Sequence, residues 1–199
     1  SGFVAAPSAN LFGKLSNTRF ADVKSALKHK MTKEDFFLEG GNCDIGLEST
    51  IVDFSSDKIN ILRPGGISRS TMEKVSGIKF QDIYNKELLP RVSGSHAKHY
   101  SPKTSLMVLE KNKILDTILC LQKKNKNLNL YFWGFGVLDI ELKNLKQEIA
   151  PNDPLKYAKS LYSKLNDLDR ENYNVIIYEL PPKSIDWEAI NDRLNRAKN

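Results

Sequence analysis

The sequence predicts an α/β fold, on three observations. Short apolar, β-branched runs alternate along the chain with stretches of helical periodicity. A polar, proline-bounded stretch at residues 90–102 splits that alternation into two units. The composition, 40% hydrophobic and 27% charged with aromatics spread throughout, belongs to a packed chain rather than a disordered one.

In the first unit, residues 45–53 and 58–62 read as strands around turns, because β-branched residues cluster there between Gly and Ser. Residues 18–28 predict a helix, with Phe20, Val23 and Leu27 on one face and Thr18 as its N-cap. A shorter helix is expected over 70–75.

In the second unit, the apolar runs 106–109, 128–133 and 175–179 predict strands, with a helix over 114–121 between the first two. Leu155, Ala158, Leu161, Tyr162, Leu165 and Leu168 share one helical face. Trp187, Ile190, Leu194 and Ala197 share another, with Asp186 as the expected N-cap. Both faces read as core. The predicted division is therefore 1–92, a linker at 93–104, and 105–199.

Lys and Arg exceed Asp and Glu by 30 to 24, a net charge of +6, which favours phosphate-bearing partners. Lysine runs such as Lys123-Lys124-Asn125-Lys126 equally suit a solvated turn. The two cysteines, Cys43 and Cys120, lie far apart and have no metal-ligand spacing with His29, His96 or His99, so no disulfide framework or zinc site is expected. A reducing, cytoplasmic setting fits. No apolar run approaches the roughly 18 residues of a membrane helix. The chain opens Ser1-Gly2-Phe3, without Met, and enters a dense motif at once, so it reads as starting inside a domain.

Three constellations in the first unit could carry chemistry. Ala6-Pro7-Ser8-Ala9-Asn10, followed by Gly13 and Ser16, can present N–H and O–H donors to a phosphate or carboxylate, and can equally be a structural turn. Leu47-Glu48-Ser49-Thr50-Ile51-Val52-Asp53 runs polar residues into a β-branched stretch, with Ser49 and Thr50 expected on opposite sides. Leu62-Arg63-Pro64-Gly65-Gly66 puts an arginine at a strand end before a turn, placed to clamp phosphate oxygens or to form a surface salt bridge. In the second unit, Gly134-Phe135-Gly136 is only a two-glycine turn, and no phosphate loop is visible.

Taken in order, these stretches, the segment from Ser93 to Pro102, with His99-Tyr100-Ser101-Pro102, and the C-terminal stretch Asp192-Arg193-Leu194-Asn195-Arg196-Ala197 resemble the YrdC-like threonylcarbamoyl-AMP synthase family in its long form. Asn17, where that pattern usually has Pro, and Phe12, before Gly13, depart from it. The resemblance implies the C-terminal half of a YrdC-like twisted-sheet α/β domain, an ordered linker, and a small Rossmann-like α/β domain. It also implies that the chain is a C-terminal fragment, inactive alone, since the family's N-terminal half, with the Lys and Arg residues that hold ATP phosphates, has no counterpart here.

The activity implied is formation of threonylcarbamoyl-AMP from L-threonine, bicarbonate and ATP, with release of pyrophosphate, for threonylcarbamoyladenosine modification of tRNA. Ala6 and Ser49 would contact threonine. Ser8, Ser16, Arg63 and Tyr100 would contact ATP, with Asn10, Thr50 and His99 as near neighbours. In the family the linker folds over the cleft, so His99 and Tyr100 would act as part of a lid; plain domain packing is the other reading of them. Mg2+ would accompany ATP as substrate, no protein-bound metal is indicated, and no catalytic nucleophile is assigned. The implied partners are downstream tRNA-modifying proteins and tRNA itself, without a membrane. The competing expectation is a basic RNA-binding module without catalysis, although neither an aromatic RNA-binding signature nor a G-x-x-G loop is present.

Overall fold

The computed structural model describes residues 2–3, 5–56, 59–80, 92 and 100–198. Its larger sheet has four strands, all parallel: β3 (Ser105–Leu109), β4 (Leu130–Gly134), β5 (Leu145–Ile149) and β6 (Val175–Glu179), in the spatial order β3-β6-β4-β5. A parallel sheet is covered on both faces, so its central strands are apolar throughout rather than alternating. That is why 128–133 and 175–179 read so plainly: β4 is buried along its whole length, and β6 at all but its first residue. The edge strand β5, Leu-Lys-Gln-Glu-Ile, is only partly covered and carries too few apolar residues to have been expected from sequence.

Successive side chains on these strands point to opposite faces. One face, with Leu130, Phe132 and Ile177, meets Ile114 and Ile118 of α3 (Lys111–Lys124). The other, with Leu106, Tyr131, Trp133, Ile176 and Tyr178, meets α4 (Pro154–Leu168) and α5 (Glu188–Ala197). The result is a three-layer α/β/α unit, the Rossmann-like arrangement expected.

Helix α4 starts where its sequence dictates, with the Asp153 carboxylate accepting from Lys156 N–H at 2.8 Å and Pro154 in the first turn. Its face is the predicted one except for Leu155, which is 71% exposed because the first turn borders a cavity instead of the sheet. Asp186 is not the N-cap of α5. A 3-10 turn, Ile185–Trp187, precedes that helix, and the Asp186 carboxylate instead accepts from Ser70 Oγ at 2.6 Å.

The N-terminal residues build less regular structure. Helix α1 (Phe20–Leu27) begins after Arg19, and Thr18 does not cap it: the Thr18 carbonyl is taken by Cys43 N–H, and its buried hydroxyl has no partner among the described residues. Strands β1 (Ile51–Asp53) and β2 (Asn60–Arg63) form an antiparallel pair with an irregular register at Ile51/Val52. The strand expected from residue 45 forms only from 51, because the preceding backbone is committed to crossing α4. At Gly46, with φ +83°, a Cβ would lie 2.5 Å from Lys159 Cα. Helix α2 (Arg69–Ser76) is closed at one end by Ser68, whose hydroxyl accepts from Thr71 N–H, and at the other by left-handed Gly77.

The two parts share a core. Leu15, Leu47 and Tyr100 pack into the cluster on the α4–α5 face of the large sheet. Around that contact run Arg19 to Asp167 (2.7 Å), Arg170 to Asp22 (2.8 Å) and Arg69 to Glu188 (3.1 Å).

Candidate functional site

Arg63 ends β2, and its side chain is directed onto the residues before β1. Its Nε and Nη2 donate to the Ser49 carbonyl at 3.1 and 2.8 Å, and Nη2 also lies 3.1 Å from Ser49 Oγ. Only 6% of Arg63 is exposed. The close approach of the two segments depends on Gly65, where a Cβ would come within 2.4 Å of Glu48 O, Ser49 C and Thr50 N. Gly66 N–H then donates to Glu48 O at 2.8 Å.

Glu48 lies beneath this pair and gathers donors from three other parts of the chain. Ser16 Oγ donates to Oε1 at 2.5 Å, while Arg193 Nε and Tyr162 Oη reach Oε2 at 2.7 and 3.2 Å. Burial alone would raise the Glu48 carboxyl, but the Arg193 charge and the bonds from Ser16 and Arg193 outweigh it and hold it below the usual carboxylate range. Arg193 is 0% exposed. Its Nη2 donates to Pro64 O at 3.0 Å, its Nη1 pairs with Asp192 at 2.6 Å, and its guanidinium carbon lies 5.2 Å from the centre of the Tyr100 ring. Burial works against the Arg193 charge, and Tyr162 and Glu48 more than offset it.

Tyr100 is buried with a left-handed backbone, φ 64°, uncommon for a bulky residue. Its ring packs against Tyr162 at 5.6 Å between centroids, and burial followed by the Glu48 charge pushes its phenol pKa up. The next residue bridges Lys14, with Ser101 N–H donating to Gly13 O at 3.3 Å, so the end of the linker lies along the turn that follows Asn10. His99 falls outside the described residues.

Ser16, Ser49, Arg63 and Tyr100 are thus brought around one buried centre. Ala6 and Ser8 are not: both lie in an exposed stretch. Asn10 braces the turn, its amide donating to Leu11 O and Lys14 O at 3.1 Å. Thr50 turns to the side opposite Ser49, where its hydroxyl donates to Ile67 O at 2.6 Å. There it lines a cavity of about 230 Å3 shared with Pro64, Gly66, Ala158, Ala189 and Ile190.

Glu48 and Arg193 each lie in a stretch that stands out in the sequence, 47–53 and 192–197, but neither was expected as a site residue. Arg193 left a signal: it falls between Ile190 and Leu194 on the stripe continued by Ala197, a charge where helical spacing demands an apolar residue.

A family model described as threonylcarbamoyl-AMP synthase, C-terminal domain, matches residues 67–198, and a second, described as telomere recombination, matches residues 1–65. The chain belongs to the threonylcarbamoyl-AMP synthase family. It is 30% identical over 207 aligned residues to the threonylcarbamoyl-AMP synthase of Pyrococcus abyssi, covering 98% of this chain and 57% of that protein. With the synthase of Schizosaccharomyces pombe the identity is 26%, over 98% of this chain and 52% of the relative. The crystal structure of P. abyssi Sua5 complexed with L-threonine superposes with a TM-score of 0.75 at 26% identity, over 96% of this chain and 56% of that one. The chain therefore spans about half the length of the synthases it matches. The likeness to the threonylcarbamoyl-AMP synthase structure takes in both sheets, consistent with the mixed α/β reading of the sequence.

Proposed function

We propose that this chain is part of an enzyme that makes threonylcarbamoyl-AMP from L-threonine, bicarbonate and ATP, for threonylcarbamoyladenosine modification of tRNA. Its likeness over 96% of its length to a synthase crystallised with L-threonine carries the reading. The threonine amine captures bicarbonate-derived carbon dioxide, a carbamate oxygen attacks the α-phosphorus of ATP, and pyrophosphate leaves. Two anions must be aligned and water kept from a labile carbamate, so fixed donors count for more than a general base.

In this reading Arg63 lends its positive charge to the binding of nucleotide phosphate, with the Ser49 carbonyl holding the Nε and Nη2 edge of its guanidinium in place. Ser49 and Ala6 contact threonine, Ser8, Ser16 and Tyr100 contact ATP, and Asn10, Thr50 and His99 stand nearby. Ser16 already donates its hydroxyl to Glu48, which leaves its backbone N–H as the donor for a phosphate. Mg2+ enters as part of the MgATP substrate; among the described residues no group of three or more His, Cys, Asp or Glu side chains is gathered to hold a metal. Residues 1–92 belong to the catalytic domain, 93–104 link it to the Rossmann-like domain 105–199, and the product passes to tRNA-modifying proteins in the cytoplasm. The +6 charge supports contact with tRNA.

Calorimetric titration with L-threonine and with MgATP tests this, alongside pyrophosphate release when bicarbonate is added. The chain alone is expected to release none. A protein of the relatives' length carrying this sequence should release it, with Arg63→Ala weakening ATP binding more than threonine binding and Ser49→Ala the reverse. Absence of binding and turnover in that longer protein would refute the proposal.

A further inference from the structure

We infer that Arg193, from the last helix of the chain, is a positioning residue for the Ser49–Arg63 pair. The inference rests on the reading above, in which that pair holds substrate, and adds that its geometry is set from the Rossmann-like unit.

The pair is assembled from two segments, 48–50 and 63–66, and Arg193 grips each beside the residue that matters. Nε–H bonds the carboxylate of Glu48, which precedes Ser49, and Nη2–H bonds the carbonyl of Pro64, which follows Arg63. One rigid planar group therefore fixes the spacing between the segments, which the flexible point charge of a lysine cannot do. The Gly66 to Glu48 backbone bond ties the same segments locally, whereas Arg193 reaches them from a different element. Tyr100 lies across the guanidinium and Asp192 binds its remaining arm, so the fork itself is held in place.

The energetics favour a positioning role over a stabilising one. Arg193 occupies a core position on the apolar stripe of α5 and is fully buried. A buried ion pair can often be replaced by well-packed apolar residues at no loss of stability, because desolvation offsets the attraction between the charges. An apolar residue would complete the stripe but could hold neither Glu48 nor Pro64. Opposite Arg193, Ser16 and Tyr162 complete the carboxylate's hydrogen bonds, so the arrangement at Glu48 is specified from three elements at once.

The test follows the Arg63 Nε–Hε resonance of the 15N-labelled chain, a readout independent of any ligand. In Arg193→Lys the hydrogen should exchange about tenfold faster and its shift should move, because Ser49 O is no longer held in line with it. Amides of the large sheet should stay protected. Glu48→Gln, which keeps the shape and removes the charge, should act in the same direction and carries the test if the lysine variant does not fold. Arg19→Gln, which breaks the ion pair with Asp167 elsewhere between the two units, should leave the resonance unchanged. An unaltered Arg63 signal in folded Arg193→Lys or Glu48→Gln overturns the inference, as does an equal response to Arg19→Gln. Titration of the same proteins, in the longer form, with L-threonine and MgATP separates the two proposals. If neither ligand binds the unsubstituted protein while the Arg63 signal still responds, the functional reading falls and the positioning role stands. If both hold, Arg193→Lys weakens binding of both ligands together.

Discussion

At Glu48, four polar groups from distant parts of the chain share one enclosed space, so each depends on the others for its solvation. Removing the carboxylate leaves the Arg193 charge buried with Asp192 as its one remaining ion-pair partner among the described residues. Glu48→Ala should therefore destabilise the chain by about 3 kcal/mol or more, measured by urea denaturation. The pH dependence follows from the direction of the shifts. The carboxyls of Glu48 and Asp167 are held below their ordinary range: at both, burial opposes the shift, which Arg193 and Ser16 drive at Glu48, and Arg19 and Arg170 at Asp167. A lowered folded-state pKa contributes stability that is fully present above the unfolded value and lost as pH falls through the folded one. The urea midpoint should thus drop steeply below about pH 4, and the drop should be shallower in Glu48→Gln than in the unsubstituted chain. From sequence, Ser49 and Arg63 could be nominated because their motif places polar groups beside a strand end. Glu48 could not be told apart from a solvated carboxylate, since its partners lie 32, 114 and 145 positions away.

Among the elements, α2 and α4 form close to the stretches expected of them, and each is closed by a cap not predicted from sequence. Asp153 before Pro154 and Ser68 before Arg69 each cap a helix, and Asp153→Ala or Ser68→Ala should each cost about 1 kcal/mol in chemical denaturation. Where the sequence misled, the helix starts without the predicted side-chain cap, and the residue expected to provide it is engaged elsewhere. Thr18 and Asp186 both have cap-like side chains, yet the Thr18 carbonyl is bound by Cys43 and the Asp186 carboxylate by Ser70. The segment before β1 shows the same effect on a larger scale. Its β-branched character predicts a strand from residue 45, but Gly46 lies directly against the backbone of α4. Gly46→Ala, with a positive φ and a Cβ 2.5 Å from Lys159 Cα, should lower the melting temperature much more than Gly77→Ala, where φ is also positive but nothing lies within 4 Å. Equal losses at the two glycines would show that backbone strain, rather than the crossing of α4, sets the cost.

For the whole molecule, the decisive feature is that Leu15, Leu47 and Tyr100 belong to the core of the large sheet. The two sheets are therefore expected to unfold together, giving one calorimetric transition. Leu15→Ala should lower that transition as a unit, at a cost of about 2–4 kcal/mol, without splitting it. Two separate peaks in the unsubstituted chain would contradict this. The sequence by itself determined the α/β class, the buried strands β4 and β6, the stripes of α4 and α5 and the family, because each is written in local periodicity or in contiguous motifs. It could not determine β5, whose composition is that of an edge, or the way residues 45–50 cross α4. Nor could it find the buried Glu48–Arg193 pair beneath Ser49 and Arg63. Those depend on which distant groups meet, and a charge on an apolar helical stripe acquires its meaning only when the tertiary fold brings its partner against it.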